Sequence, residues 1–361
     1  MAAAEDYDTA AAVAVFHQSR AGVRGLVQSG VNPIPPIFLM PTSPSPRSPT
    51  TTAFAIPAVD LSLPRRDTVA LVRAAACSCG FFNVTNHGVP AGIVDSAVSA
   101  VRAFHEQPRT VRSAFYSIEP VGGAVTYSTI PIAPQRGAPL LPWRDTLRVR
   151  FGPGEPDLGR LPAACRNVLQ EYQRSLTAFG KEMAGLLSEA LGVGTERLER
   201  AMQVEGWLMA CHYYPPCPEP ERVVGSLEHT DLSLFTVLAQ DGVGGLQVRR
   251  DNGEEWVDVV PVTGAFLVNI GDVLKVVSND ELKSVEHRVV IKSTQDARVS
   301  IALFFNPGKR ENSDRFGPLP ELVTAEKPAR YRSFTVPEFM SSRREYGHNR
   351  SSIDLFKVSS S

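Results

Sequence analysis

The residues best suited to chemistry in this sequence are two histidines and an aspartate. His229 and Asp231 stand two positions apart in Glu228-His-Thr-Asp-Leu232, so on an extended strand both side chains point to the same face. His287 follows far downstream, in Ser284-Val-Glu-His-Arg-Val289. Two imidazoles and one carboxylate on one side of a metal ion form a facial triad, which leaves other coordination positions open. A structural zinc site, in contrast, is normally closed by four protein ligands.

The H-x-D pattern alone is a weak signal, because His229 could also be a turn residue and His287 a surface histidine beside Glu286. A second pair, Arg298 and Ser300, favours the metal site, because residues two apart again share one strand face. Arginine offers a planar fork of donors that matches a carboxylate, and serine adds one more hydrogen bond. The apolar flank Val299-Ser-Ile-Ala-Leu-Phe-Phe305 predicts a buried arginine, which needs an anionic partner, either an ordinary salt bridge or a ligand. The pair suits the distal carboxylate of a dicarboxylic 2-oxoacid whose other end chelates the metal.

The composition is typical of a globular enzyme with a small-molecule substrate. The chain has 361 residues, of which 43% are hydrophobic, and this is enough for a large buried core. Its 37 basic and 38 acidic residues are intermixed and give a net charge of -1, so no nucleic-acid partner is expected. The five cysteines lack paired zinc spacing and are expected to be free thiols of a reducing compartment.

The sequence contains no segment typical of membrane insertion or targeting. No apolar run approaches the ~20 residues that a membrane-spanning helix needs. The Ala-rich start is interrupted by Glu5, Asp6 and Asp8, and no basic region precedes an apolar core. We therefore expect a cytoplasmic protein that has no membrane partner and acts as a monomer.

Residue patterns along the chain predict an α+β fold with helices before strands. Helical periodicity is clearest from about 161 to 191, in one piece or two, with Gly192 suited to end it. From Trp207 onwards, short β-rich segments separated by turn signals indicate a β-sandwich or jelly roll. The predicted strands are 207–213, 234–239, 245–249, 256–259, 265–269, 285–291 and 298–305.

These patterns divide the chain into four segments. Residues 1–55 form an N-terminal extension that ends in a Pro/Ser-rich connector, which we interpret as extended. An α-rich region follows over 56–200, and the jelly-roll catalytic core occupies 201–310. A helical segment over 311–361 is expected to complete the substrate pocket.

Several motifs in order resemble the plant 2-oxoglutarate- and Fe(II)-dependent dioxygenases of specialised metabolism, whose core is a double-stranded β-helix. Besides the metal and arginine motifs above, they are Ile56-Pro-Ala-Val-Asp60, Gly80-Phe-Phe-Asn-Val-Thr-Asn-His-Gly-Val89, Trp143-Arg-Asp-Thr-Leu147, Tyr213-Tyr-Pro-Pro-Cys-Pro218, Leu238-Ala-Gln-Asp-Gly-Val-Gly-Gly-Leu-Gln-Val248 and Val268-Asn-Ile-Gly-Asp272. The N-terminal segments 16–31 and 34–38 resemble those of one branch of this family. That branch contains the aminocyclopropane-carboxylate oxidase homologues and the benzoxazinoid-glucoside dioxygenase of grasses.

The resemblance implies a role for each candidate residue. The Fe(II) ligands, which are also the catalytic residues, would be His229, Asp231 and His287. The residues that bind 2-oxoglutarate would be Arg298, Ser300 and Tyr214. Phe304 would supply a wall of the substrate pocket. Aromatic residues in such strands are also commonly core, so both interpretations stay open for Tyr214 and Phe304.

The sequence departs from the family in two places. His212 stands where relatives usually have asparagine, close to the co-substrate, and we expect it to lie outside the ligand set. The stretch 121–130, with the Pro-rich 131–142 after it, is also unusual for the family. Substrate identity is therefore expected to depend on 121–142, 309–345 and Phe304.

The resemblance also implies an oxidoreductase that consumes O2 and 2-oxoglutarate and releases succinate and CO2, with ascorbate as reductant. Its branch mostly hydroxylates small aromatic, indolic or glycosylated metabolites, while desaturation, ring closure and dealkylation use the same core. Two alternatives remain: an ascorbate-dependent aminocyclopropane-carboxylate oxidase, and a catalytically silent binding protein. The long N-terminal extension disfavours the first, and the intact triad with its arginine–serine pair disfavours the second.

Overall fold

A computed structural model describes residues 8–40, 55–118, 124–129, 140–152, 158–250, 255–308, 314–346 and 351–358. The helices are α1 (Thr9–Ser19), α2 (Gly22–Gln28), α3 (Arg65–Ser78), α4 (Ala91–Glu106), α5 (Arg109–Arg112), α6 (Arg166–Ala190), α7 (Arg197–Met202), α8 (Asp272–Val277), α9 (Val336–Tyr346) and α10 (Ser351–Asp354). The strands are β1 (Ala58–Asp60), β2 (Phe81–Thr85), β3 (Val125–Ser128), β4 (Asp145–Arg150), β5 (Val204–Tyr214), β6 (Ser226–His229), β7 (Phe235–Gln240), β8 (Leu246–Arg249), β9 (Trp256–Asp258), β10 (Phe266–Ile270), β11 (His287–Val289), β12 (Arg298–Pro307), β13 (Arg315–Phe316) and β14 (Phe334–Thr335).

Two antiparallel sheets form the centre of the fold, and only the edge pair β1–β2 is parallel among the described strands of these sheets. The major sheet has the order β1-β2-β10-β7-β12-β5-β4-β3, and the minor sheet has the order β6-β11-β8-β9. One buried cluster contains Leu246 and Val248 of the minor sheet with Phe81 and Leu267 of the major sheet, so the two sheets pack face to face. The predicted α+β fold with a double-stranded β-helix core is confirmed.

Strand β12 shows how the sequence sorts side chains between the two faces of the major sheet. Ile301 and Leu303 are buried in a second cluster with Val72 of α3, Val101 of α4 and Leu176 of α6. The intervening residues, Arg298, Ser300, Ala302 and Phe304, line a cavity on the opposite face. This period-two alternation is what a strand between a helical layer and a second sheet requires.

Helix α6 is the longest helix of the described chain and supports the major sheet from its helical side. Leu169, Tyr172, Leu176 and Met183 recur at three-, four- and seven-residue steps and are fully buried, as an amphipathic helix requires. The helix is continuous over 25 residues, and it begins at Arg166, five residues later than the pattern predicted. Each of the segments predicted as strands from Trp207 onwards contains a strand.

The N-terminal extension is attached to the body through a buried aspartate. Asp145 accepts hydrogen bonds from the backbone N–H groups of Val23 and Arg24, each 2.8 Å long, at the start of α2. The predicted connector is only partly described: residues 33–40 contain a turn whose Phe38 packs edge-on against Trp143, with ring centroids 5.3 Å apart. This part is therefore packed and not a free linker, while 41–54 lie outside the described residues.

Two further features bear on the expectations from composition. The five cysteines, Cys77, Cys79, Cys165, Cys211 and Cys217, carry free thiols. Among the described helices, none combines the length and the apolar character that crossing a bilayer demands.

Candidate active site

The three predicted ligands converge at one end of the minor sheet. His229 at the end of β6 and His287 at the start of β11 are direct cross-strand partners, and Asp231 follows two residues after β6. Asp231 Oδ1 lies 3.8 Å from Nε2 of each histidine. The three ligand atoms all lie within 4.8 Å of one another, a spacing that allows them to share one ion.

Hydrogen bonds fix which histidine nitrogens face the convergence point. His229 Nδ1–H donates to the carbonyl of Leu227 at 2.8 Å, and His287 Nδ1–H donates to the carbonyl of Val285 at 3.3 Å. Each bond holds the proton on Nδ1 and leaves the lone pair on Nε2, which is the form that binds a metal. The backbone around β6 and β11 therefore sets both the position and the tautomer of the two imidazoles.

Asp231 is oriented in the same way by two donors. Its Oδ2 accepts hydrogen bonds from Thr236 Oγ1 at 2.6 Å and from Asn269 Nδ2 at 2.9 Å, which leaves Oδ1 for an ion. Burial acts to raise the pKa of Asp231, but the nearby imidazoles and these two bonds outweigh it, so the pKa is lowered. The carboxylate is ionised and ready to coordinate a cation.

A buried arginine from the C-terminal segment supports the ligand loop. Arg343 on α9 donates to the carbonyl of Thr230 at 3.0 Å and to its Oγ1 at 3.1 Å, and it also pairs with Asp272. Thr230 Oγ1 in turn donates to Asp272 at 2.8 Å. Since Thr230 lies between His229 and Asp231, this contact fixes the backbone that carries both predicted ligands. Sequence analysis missed it, because no spacing pattern links residue 343 to residue 230.

Arg298 and Ser300 lie beside this group, on β12. Arg298 is 4% exposed and donates to Ser300 Oγ and to Gln240 Oε1, each at 2.9 Å. Its Nε–H has no hydrogen-bond partner, and among the described residues no carboxylate pairs with it. A buried guanidinium with only neutral partners and an unpaired donor fits a carboxylate ligand, as 2-oxoglutarate would provide.

The two aromatic candidates line the same cavity as the metal group. Tyr214 is the cross-strand partner of Arg298, and the guanidinium lies 4.9 Å from the centre of its ring. Phe304 is partly buried and lies on the same face of β12 as Ser300. Tyr214 also belongs to the buried cluster between the sheets, so it has a packing role whatever it binds.

His212 also lines the cavity but is not part of the metal group among the described residues. Its Nδ1 is 3.0 Å from Thr146 Oγ1 on the neighbouring strand β4. Burial, followed by the charges of Arg144, Arg148 and Arg298, holds the pKa of His212 well below its usual value. The imidazole is therefore neutral, and Thr146 fixes its orientation.

Two histidines and one aspartate that could bind a metal ion on one side lie next to a buried arginine that could bind an anion. This combination is typical of non-haem iron oxygenases. Residues 206–307 match the 2OG-Fe(II) oxygenase superfamily, and residues 56–168 match the family described as non-haem dioxygenase in morphine synthesis N-terminal. The chain belongs to the 2OG-Fe(II) oxygenase superfamily and is a 2-oxoglutarate-dependent non-haem iron dioxygenase. The predicted family resemblance is confirmed.

Similar proteins include plant enzymes over nearly the whole chain. The 1-aminocyclopropane-1-carboxylate oxidase homolog 1 of Arabidopsis thaliana is 38% identical over 97% of this chain and 96% of its own length. A homolog from Solanum lycopersicum is 36% identical over 98% of both. The crystal structure of JOX2 in complex with 2OG, Fe and JA has a TM-score of 0.81 at 29% identity, and covers 94% of this chain and 98% of that one. A rice dioxygenase for auxin oxidation has a TM-score of 0.70 at 28% identity, with coverages of 84% and 100%.

Proposed function

We propose that this dioxygenase hydroxylates a small specialised metabolite, with release of succinate and CO2. Fe(II) is held by His229, Asp231 and His287, and 2-oxoglutarate by Arg298, Ser300 and Tyr214, while O2 is the oxidant and ascorbate keeps the iron reduced. The observation that carries this proposal is the buried Arg298, which has an unpaired Nε–H and lies in the cavity that the three ligands line.

Each group of residues has a defined task in this proposal. Bound iron with 2-oxoglutarate supplies the oxidising power from O2. The Nε2 atoms of both histidines and Asp231 Oδ1 would hold the ion, and three protein ligands would leave coordination positions for other groups. Arg298 and Ser300 would bind the distal carboxylate of 2-oxoglutarate. The surrounding sheets exclude water, which limits oxidation without a substrate.

The substrate proposed is an aromatic, indolic or glycosylated small molecule. Phe304 offers an apolar ring on the cavity wall, and segments 124–129, 140–142 and 314–345 are the described parts proposed to complete the pocket. Structures of similar fold are named for JA and for auxin oxidation, which supports a small-molecule substrate here. We further propose that the enzyme is cytoplasmic, which its five free thiols support, and that it acts as a monomer.

Turnover assays with a plant metabolite library test the proposal directly. Succinate and hydroxylated product should form together, and only when Fe(II), 2-oxoglutarate and O2 are all present. His287→Ala is the matched inactive control, because it removes one ligand from a site that the fold does not need for its core. Product formation with ascorbate but without 2-oxoglutarate would instead support an aminocyclopropane-carboxylate oxidase-like reaction and would contradict the proposal.

A further inference from the structure

Two arginines of the major sheet face the proposed active site. Arg144 immediately precedes β4, is 4% exposed, and lines the same cavity as the three proposed ligands. Arg148 lies within β4, and residues 144, 146 and 148 share one face of the strand. Thr146 on that face contacts His212, which also lines the cavity, so this face of β4 is turned towards the site.

Small side chains separate Arg148 from the centre of the cavity. Arg148 is the cross-strand partner of Ala210, and Ala210 is the partner of Ala302, which lines the cavity next to Phe304. Two strand spacings place Arg148 about 10 Å from Ala302 along the sheet. Because Ala210 and Ala302 have only methyl side chains, they leave space above the sheet between Arg148 and Phe304. A small organic anion could occupy this space.

Neither arginine has a counter-charge within the described part of the chain. The structure gives neither guanidinium an ion pair or a hydrogen bond there, and Asp145 between them binds the start of α2 on the opposite face. Arg150, the next arginine on this face, differs because it stacks on Trp207 at 5.6 Å. Burial, together with the charges of Arg144 and Arg150, lowers the pKa of Arg148 to about 10, so it remains charged near neutral pH. Clustered, partly buried like charges are costly unless an anion binds to them.

The charges of the proposed cofactors do not balance these two arginines. Fe(II) would be neutralised by Asp231 and by the 2-oxoacid carboxylate of the co-substrate. The distal carboxylate would neutralise Arg298. Arg144 and Arg148 then remain as two unmatched positive charges in or beside the cavity.

We infer that the substrate is an organic anion whose carboxylate or phosphate group binds between Arg144 and Arg148, while its carbon skeleton lies over Ala210 and Ala302 against Phe304. The guanidinium fork suits both kinds of acidic group. The inference rests on the proposed function and specifies its substrate class. The three metal ligands and Arg298 would hold iron and 2-oxoglutarate. Arg144 and Arg148 would recognise the acidic group of the substrate.

Calorimetric titration of the enzyme loaded with Fe(II) and 2-oxoglutarate under anaerobic conditions tests the inference. The probes are 3-phenylpropanoate against 3-phenylpropanamide, indole-3-acetate against indole-3-acetamide, and phenyl phosphate. At least one acid should bind roughly ten- to a hundredfold more tightly than its neutral match, which is the range for one charge-assisted hydrogen bond. The acid that binds best, carboxylate or phosphate, identifies the group.

Arg148→Gln and Arg144→Gln should each abolish this preference, whereas the exposed control Arg66→Gln should keep it. Without ligand, Arg148→Gln should also unfold at a higher temperature than the unmodified enzyme, because charge repulsion is relieved. This second measurement, and the Arg148 variant itself, keep the test valid if Arg144→Gln does not fold.

Three results would overturn the inference: amides that bind as tightly as the acids, no binding of any acid, or a preference that survives Arg148→Gln. The visible absorption of the anaerobic Fe(II)–2-oxoglutarate complex, recorded in the same samples, separates this failure from a failure of the proposed function. If that absorption is present, only the anionic substrate class is wrong. If it is absent, the proposed co-substrate site is wrong as well.

Discussion

Replacement of Arg298 by lysine tests the co-substrate site while the local charge is kept. The guanidinium now donates to Ser300 and to Gln240, and its Nε–H remains available for a ligand. A lysine ammonium is a point charge on a flexible stem and cannot reproduce this planar fork. Arg298→Lys should therefore lose at least one charge-assisted hydrogen bond to the distal carboxylate of 2-oxoglutarate.

The loss of one such bond costs about 1.5–3 kcal/mol. This corresponds to roughly a ten- to a hundredfold weaker apparent affinity for 2-oxoglutarate. Iron affinity should hardly change, because Arg298 does not contact the three proposed ligands.

The measurement is the 2-oxoglutarate Michaelis constant, determined together with Fe(II) affinity by anaerobic titration. Ser300→Ala is the matched companion, because it removes one uncharged donor and keeps the guanidinium, so it should give a smaller increase than Arg298→Lys. An unchanged Michaelis constant for 2-oxoglutarate in Arg298→Lys would place the carboxylate elsewhere and refute the assignment.

Three further predictions concern the metal, the substrate and the support of the site. His229→Ala, Asp231→Ala and His287→Ala should each abolish Fe(II) binding and turnover with circular dichroism unchanged; near-normal turnover in any of them would exclude that residue as a ligand. Phe304→Ala should lose about 0.5–1.5 kcal/mol of ring stacking beyond the buried area, seen as a raised substrate Michaelis constant and succinate in excess of product, and full coupling would make it a core residue. Arg343→Ala leaves a buried carboxylate unpaired, so urea unfolding should show a loss of about 3–5 kcal/mol; a loss under 1 kcal/mol would refute the buried-pair argument.

Short-range patterns were sufficient for strands β5, β7, β10 and β12 of the major sheet. Strands such as β7 and β10 combine apolar runs with turn residues at both ends, and these signals are local. Strand β6 was not predicted, although it carries His229, because its burial pattern is mixed and its partner β11 lies far downstream. Its hydrogen bonds exist only once the two segments meet, so no window of sequence contains the information.

The candidate site was predictable to the extent that its residues occur in pairs two positions apart, on a strand or in its direct extension. His229 with Asp231, and Arg298 with Ser300, are two residues apart, and strand geometry then brings each pair to one face. The contacts that orient them join distant segments: Asn269 reaches Asp231, and Arg343 reaches the loop between the ligands. Such contacts form only through tertiary packing, and no periodic pattern in the sequence indicates them.

Arg298 and Arg148 show why one arginine near the cavity was found from sequence and the other was not. Apolar residues flank Arg298 on a continuous run, which predicts burial and therefore an anionic partner. Arg148 alternates with the apolar Leu147 and Val149, a pattern that normally indicates a strand with one solvated face. In the fold that polar face is turned towards the cavity of the proposed active site, next to Arg144 and His212. The alternation predicts two unlike faces, but the tertiary fold decides whether the polar face meets water or a cavity, and at β4 it meets the cavity of the proposed active site.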